Sequence, residues 1–431
     1  KEEQLSGNIK LYDIDHEAAC ANEAIGNRLS TRPDVPGKWA YKAVKSLGEA
    51  LTGADFVIIS ILPGTLDEME SDVHAPEQFG IYQSVGDTVG PGGYIRALRS
   101  IPMFIEIAGA IKQYSPDAWV INYTNPMSIC TRALYAAFPG IKAFGCCHEV
   151  FGTQGLLAVA LNDILGLKIP PREEISINVL GINHFTWVTR ASWRDIDLFP
   201  VYREFADKYF ETGFPAGEHI NDWEGNYFCF NHRVKFDLFR KYGAIAAAGD
   251  RHLAEFFPPI YLKNPETAKY WKFHLTPVSF RKGKLADRLA RSRRLQKGEE
   301  EIQLHDTGEE SVRQIKALVG LGDLITNVNL PNLGQMEGMP HGAVVETNAV
   351  FGFNHVTPVV SGKLPPAVHE LVARHISNQE NIIKAVLNED KELAFEVFCS
   401  DPLITLGKNK ARELFEIMLK NTAKYLPPFL K

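Results

Sequence analysis

The stretch KAFGCCHEVFGTQ (142–154), an amphipathic run, and then ISINVLGINHFT (175–186) decide how the rest of the chain is read. Each flank has the apolar, partly β-branched character of a strand and stops on groups able to bind a metal. Those groups are Cys147-His148 at the first flank and Asn183-His184 at the second. If the two segments end as neighbouring strands at the carboxyl edge of one sheet, Cys147 and His184 meet in space. A thiolate and an imidazole suit a divalent transition metal, and two protein ligands leave positions for substrate oxygens. A core Cys beside a satisfied His is the plainer reading of the same fragment. The surrounding sequence has to decide.

Working outward, two more apolar runs precede Lys142: ADFVIISIL (54–62), broken by Pro63-Gly64, and AWVINY (118–123), ending in Thr124-Asn125-Pro126. Unbroken apolar runs of this length are the mark of parallel strands buried on both faces. Helical patterns alternate with these runs: Lys45–Leu51 before the first, the long Ile95–Tyr114 between the two, and Thr131–Phe138 before Lys142. Earlier still, NIKLYD (8–13) alternates, closes on an acid and leads into a helical pattern from His16 to Ile25. Strand–helix alternation of this kind gives an α/β, Rossmann-like doubly wound parallel sheet with right-handed crossovers. Ligands of such sheets bind beyond the carboxyl ends of the strands. Asp13, Pro63-Gly64, Asn125 and Cys147-His148 all stand at such ends. A strand closing on Asp resembles the second strand of a dinucleotide-binding fold, in which Asp13, with Asp15 as alternative, takes the ribose hydroxyls of NAD. A helix N-cap is the competing role for either Asp. The first strand and Gly-rich phosphate turn of such a fold are missing from the stretch before Asn8.

LKIPP (167–171) marks a boundary, because the Pro pair cannot continue a helix. Residues 1–168 then form the NAD-binding Rossmann-like domain, and 169–431 a C-terminal α+β domain for substrate, metal and oligomerisation. The second half reads as strands at Ile175–Gly181, Leu324–Leu330 and Gly342–Val350. Its helices are Val201–Tyr209, Arg233–Lys241, Val312–Leu321, Pro366–Leu387 and Glu413–Tyr425. KGKLADRLARSRRLQKGEEE (282–301) reads as a solvated helix. Composition narrows the function classes. In 431 residues, 45% hydrophobic and 23% charged with net charge −6, there is no basic run for nucleic acid and no membrane span. Six cysteines without a framework spacing read as reduced thiols in a cytoplasm.

Taken in order, LYDID (11–15), GDTVGPGG (86–93), NYTNPMSICT (122–131), GCCHE (145–149), GINHF (181–185) and VVET (344–347) resemble glycoside hydrolase family 4, the NAD- and Mn²⁺-dependent glycosidases of carbohydrate metabolism. SILPG (60–64), IYQSVGDTVGPGG (81–93) and GDRHLAEF (249–256) are most similar to its α-galacturonidase branch. The resemblance implies hydrolysis without the usual pair of carboxylates. NAD takes hydride from sugar C3, a base removes the acidified C2 proton, and the glycosidic oxygen leaves. Water then adds and the ketone is reduced again, with a divalent metal on the C2 and C3 oxygens.

The same resemblance carries over site residues. Cys147 and His184 match the metal ligands, and His148 the position that contacts substrate and protonates the leaving oxygen. Asn125 matches the holder of sugar hydroxyls. Asp87 falls in a catalytic loop, and Tyr242 in the region of the C2 base. Asp13, Ile61, Pro63, Asn122 and Asn125 line the cofactor. The family also implies a homodimer or homotetramer acting on a small sugar. Relatives acting on phosphorylated sugars carry an Arg where ILPGTLDEME (61–70) has three acids and no cation, which favours a uronic acid. Arg251 is the first candidate for its carboxylate with His252 assisting, and Arg96 and Arg281 are the alternatives. Two other readings stand beside this one. One is an NAD dehydrogenase of the malate or lactate type. The other is a family 4 enzyme acting on a neutral or phosphorylated α-glycoside.

Overall fold

The structure is a computed structural model that describes residues 5–214, 226–304 and 308–431. Its first strands, β1 (Gly7–Leu11) and β2 (Trp39–Ala43), pair in parallel as a sheet of their own, with helix His16–Ser30 crossing between them. The three apolar runs become β3 (Phe56–Ile59), β4 (Trp119–Asn122) and β5 (Lys142–Gly145), parallel neighbours in that order. Alternate residues face opposite ways. Val120 and Ala143 join the main core with helix Gly90–Tyr114, whereas Ile121 and Phe144 pack with Val328 and Phe351 on the other side. Burial on both faces is why β4 and β5 read as unbroken apolar runs, whereas β3, at the sheet edge, leaves Ile58 exposed.

In the second half, β6 (Ser176–Ile182), β7 (Phe185–Trp193), β8 (Ile196–Asp197) and β9 (Ile245–Ala246) form a separate antiparallel sheet. The strands β10 (Leu324–Pro331), β11 (Val344–Gly352) and β12 (His355–Pro358) return to the first sheet and extend it antiparallel, in the order β12-β11-β10-β5-β4-β3. One sheet is thus built from both sides of the Pro170-Pro171 break.

Two expectations need correction. The strand ending at His184 is not a neighbour of β5. Asn183 and His184 are the two-residue turn that joins β6 to β7, with Ile182 paired to Phe185. The glycines of GDTVGPGG are also more than a loop, because the helix expected from Ile95 begins at Gly90. Proline is tolerated in a first helical turn. Glycine is required at position 93, where an added Cβ would lie 2.5 Å from the carbonyl carbon of Thr88. The loop carrying Asp87 can therefore lie directly on the helix start. Helix Val278–Lys297 is solvated as expected, Val278 being its only buried residue.

One buried ion pair ties this region together. Arg99 meets Asp72 with two hydrogen bonds, 3.0 and 2.5 Å, and also donates to the carbonyl of Pro63 at 3.3 Å beyond the end of β3. Both side chains are buried. Removing one partner strands a charge in the core, which costs about 3–5 kcal/mol. Arg99→Leu or Asp72→Leu alone should lower stability by that amount in urea unfolding, and the double replacement by less than the sum. Single replacements that cost under about 1 kcal/mol, as for an exposed pair, would contradict this role.

Candidate active site

The β6–β7 turn is held tightly. Gly181 has φ +148°, and a Cβ there would come within 2.4 Å of the Phe185 carbonyl oxygen, so glycine alone fits. Asparagine side chains dock this hairpin on the main sheet. Asn183 Nδ2 donates to Glu346 Oε2 at 3.4 Å, and Asn348 Nδ2 donates to the Ile177 carbonyl at 2.6 Å. Glu346, from VVET, also accepts from Asn327 at 2.6 Å. Burial pushes its carboxyl up to about 7 against those donors. The turn residue His184 is thereby presented at a fixed place.

Two other segments arrive at the same place. KYGAIAAAGDRH (241–252) passes beside β7 as a buried thread, which its alanines make possible: Ala244 and Ala246–Ala248 are all buried. Ala247 N donates to the Thr186 carbonyl at 2.8 Å. Asp250 then accepts from the N–H groups of Val234 and Lys235. His252 is left stacked on His184, ring centroids 3.8 Å apart and planes 23° inclined. The second arrival is the loop 84–88. Glu255 grips it by accepting from Val85 N at 2.7 Å and Gly86 N at 3.0 Å.

Asp87, His184 and His252 consequently place one ligand atom each within 4.8 Å of one another. A carboxylate and two imidazoles at that spacing are a donor set for a divalent cation. Thr88 fixes the tautomer. Its Oγ1 lies 2.7 Å from Asp87 Oδ1 and 3.0 Å from His184 Nδ1. The hydroxyl's one proton goes to the carboxylate, so His184 Nδ1–H donates to the hydroxyl oxygen and Nε2 keeps a free lone pair.

Charge follows the geometry. Burial would raise Asp87, but His252, Arg96 and His184 outweigh it and hold the carboxyl far below its usual range. Burial likewise opposes ionisation of Glu149, yet His252 and His184 bring it down to about 2. Glu149 also accepts from Gly249 N at 2.7 Å and lies 3.8 Å from His252 Nε2. Burial pushes His184 down to about 3, with His252 adding to the effect and Asp87 opposing it. Two carboxylates facing two neutral imidazoles make this end of the site negative, a place for a cation.

The other expected residues divide. Asn125 and Arg96 are in the site: Asn125 Nδ2 donates to Asp87 Oδ2 at 3.3 Å, and Arg96 Nε donates to the Asn125 carbonyl at 3.0 Å. Cys147 is buried beside Asn183, outside the Asp87–His184–His252 trio. Burial, then Glu346 and Glu149, push its thiol well above the ordinary value. His148 stands at the rim, exposed at the N-cap of helix Glu149–Leu165, with Nδ1 3.3 Å from Glu309. Asp13 is exposed just beyond β1, and Asp15 is the N-cap of the first helix, accepting from Glu17 and Ala18. Ile61 and Pro63 follow β3, and Ile61 N donates to Thr124 Oγ1 at 2.9 Å.

Asn122 does not reach outward. It is wholly buried, and its amide braces the strand end through Thr124 and Thr131. Tyr242 packs on Trp187 and Phe257, and burial followed by Asp237 raises its hydroxyl, the opposite of what a base needs. Arg251 and Arg281 both stand over the Phe228 ring, 5.1 and 5.4 Å from its centroid. Thr88, Glu149, Glu255 and Phe228 were not singled out from the sequence. Glu149 and Glu255 lie inside the quoted motifs GCCHE and GDRHLAEF, whose Cys, His and Arg drew the attention.

Sheet and site together define an α/β protein whose strand ends converge on a ligand cluster beside a group of arginines. The pattern described as Family 4 glycosyl hydrolase matches residues 1–163, and that of the Family 4 glycosyl hydrolase C-terminal domain matches 179–404. The chain belongs to family 4 of the glycosyl hydrolases. It is 64% identical over 427 residues to an alpha-galacturonidase of Thermoanaerobacterium saccharolyticum, covering 99% of this chain and 92% of the relative. Among solved structures, lplD from Bacillus subtilis is 56% identical with a TM-score of 0.91, over 96% of this chain and 93% of that one. A 6-phospho-alpha-glucosidase from gut microorganisms, in complex with NAD and Mn²⁺, shares the fold at 22% identity and a TM-score of 0.77, over 97% and 92%.

The depressed His184 predicts a pH dependence. With its folded value near 3 and an unfolded value near 6.5, the unfolded chain alone takes the proton between those limits. Stability present above about pH 6.5 is therefore lost as pH falls, by at most about 1.4 kcal/mol per unit. In chelator-treated protein, His184→Gln should flatten the fall between pH 6.5 and 3. An unchanged slope would contradict the assignment.

Proposed function

We propose that the chain hydrolyses α-galacturonides by oxidation, elimination, addition and reduction, with NAD and a divalent cation such as Mn²⁺ as resident cofactors. The observation that carries the reading is the Asp87–His184–His252 cluster beside Arg96, Arg251 and Arg281. The whole-length likeness to an alpha-galacturonidase gives the substrate. When bound, NAD would accept hydride at sugar C3, and the cation would act as Lewis acid on the C2 and C3 oxygens.

The chain's own groups fit the parts left to them. His184 Nε2, turned outward by Thr88, and the Asp87 carboxylate would hold the cation, with His252 facing it. Cys147 is retained as a further ligand because its neighbour Asn183 precedes His184, and a cation would favour its thiolate. Asn125 would hold sugar hydroxyls, and Asp13 the cofactor ribose. His148, exposed beside Glu309, can protonate the departing oxygen. The C2 base is not assigned to Tyr242, whose ring is committed to Trp187 and Phe257. A reducing cytoplasm, read from cysteines without a framework spacing, stays part of this reading. We keep the division near residue 168 and a homo-oligomeric state as part of this reading.

The test is turnover of an aryl α-galacturonide with NAD, Mn²⁺ and reductant each omitted in turn. Each omission should abolish or sharply lower the rate, and deuterium at sugar C2 should wash out into solvent. Full retention of C2 deuterium in the product would rule out elimination. His184→Ala and Cys147→Ala should abolish Mn²⁺-dependent turnover while NAD binding, followed by calorimetry, persists. Full activity of either variant in chelator would remove that residue from the metal site.

A further inference from the structure

The three arginines near Asp87 are not equivalent, and their hydrogen bonds tell them apart. A carboxylate is gripped best by two parallel N–H groups on one edge of a guanidinium. Both such edges of Arg251 include Nη2. That nitrogen donates to the Ser84 carbonyl at 3.1 Å and also to Thr276 Oγ1, which occupies both of its hydrogens. Neither fork of Arg251 is therefore intact. Since Ser84 Oγ donates in turn to the Arg251 carbonyl, Arg251 is a strut for the loop that carries Asp87.

Arg96 gives Nε to the Asn125 carbonyl and keeps its outer edge. Its charge already faces Asp87 and Asp72. Arg281 differs from both. It is half-buried on the first turns of helix Val278–Lys297 and makes no hydrogen bond or ion pair among the described residues. It rests 5.4 Å from the Phe228 ring centroid, on the ring that Arg251 also meets. Phe228 is itself 41% exposed, so the platform opens to solvent. A partly desolvated cation without a dedicated counter-ion carries a standing cost, which a bound anion would relieve. Burial pushes its guanidinium down, and the Asp87 carboxylate is the largest influence opposing that.

We infer that Arg281 is the residue that grips the substrate carboxylate, with Phe228 as the platform that holds its guanidinium plane. This corrects the first choice of Arg251, and it rests on the galacturonide reading above. Arg281 acts on substrate selection and Arg251 on the shape of the Asp87 loop.

The experiment compares Arg281→Lys, Arg281→Gln and Arg251→Lys on an aryl α-galacturonide and the matching neutral galactoside. Calorimetric titration with galacturonate and with galactose is run beside it. Both Arg281 variants should lose about 10- to 100-fold in kcat/KM on the galacturonide, as for one charged hydrogen-bonded contact. The loss should lie mainly in KM, galacturonate affinity should fall in parallel, and the loss on the galactoside should be several-fold smaller. Arg251→Lys should lower both substrates alike. Unchanged galacturonide kinetics in Arg281→Gln, or equal losses on both sugars, would overturn the assignment. If the unmodified enzyme cleaves only the neutral sugar, the functional reading fails. The titration still decides the Arg281 claim, which falls if galacturonate binds no better than galactose or if Arg281→Gln binds it as well as the unmodified protein.

Discussion

A half-buried carboxylate held between two imidazoles and an arginine is the constraint on which this site depends. Desolvation opposes its charge, and His252, Arg96 and His184 offset that cost, the two imidazoles only in their protonated form. Leaving it unpaired would cost several kcal/mol. That requirement forces three distant segments to meet: the loop 84–88, the β6–β7 turn and the thread that ends at His252. Each brings its own fastening, namely Glu255 under the loop, Glu346 behind Asn183, and the alanines that let 244–248 run against β7.

Much of the fold was legible because its signal is local. Apolar runs announced β3, β4 and β5, and the polar residues closing them announced a ligand edge. The β6–β7 hairpin was misread for an equally physical reason. GINHF has no Asn-Gly or Gly-Gly pair to advertise a turn, and the strand character of INVLGI runs on into FTWV without a break. The start of the long helix was hidden by GPGG, a sequence that normally signals a loop. Its glycines are needed because the Thr88 backbone crosses so closely.

The site was legible in composition and not in pairing. His184, Asp87, Asn125 and Arg96 were all named from strand ends and motifs, and they do converge. The stack of His252 on His184 was not foreseeable, since no spacing rule links a hairpin turn to a helix some seventy residues on. Nor can a sequence rank Arg251 against Arg281, because it does not show which guanidinium nitrogens are already occupied. Nor does a sequence show that Tyr242 packs half-buried on Trp187 and Phe257 or that Asn122 spends its amide at the strand end.

The resulting site has two ends. One collects carboxylates and neutral imidazoles suited to a cation, and the other collects guanidinium groups suited to an acidic sugar. The central claim is that the first end holds the metal, and anomalous diffraction from crystals grown with Mn²⁺ tests it most directly. The account predicts one strong peak within bonding distance of His184 Nε2 and of the Asp87 carboxylate. A peak elsewhere in the chain with none at His184, or no peak at saturating Mn²⁺ in active protein, would contradict it.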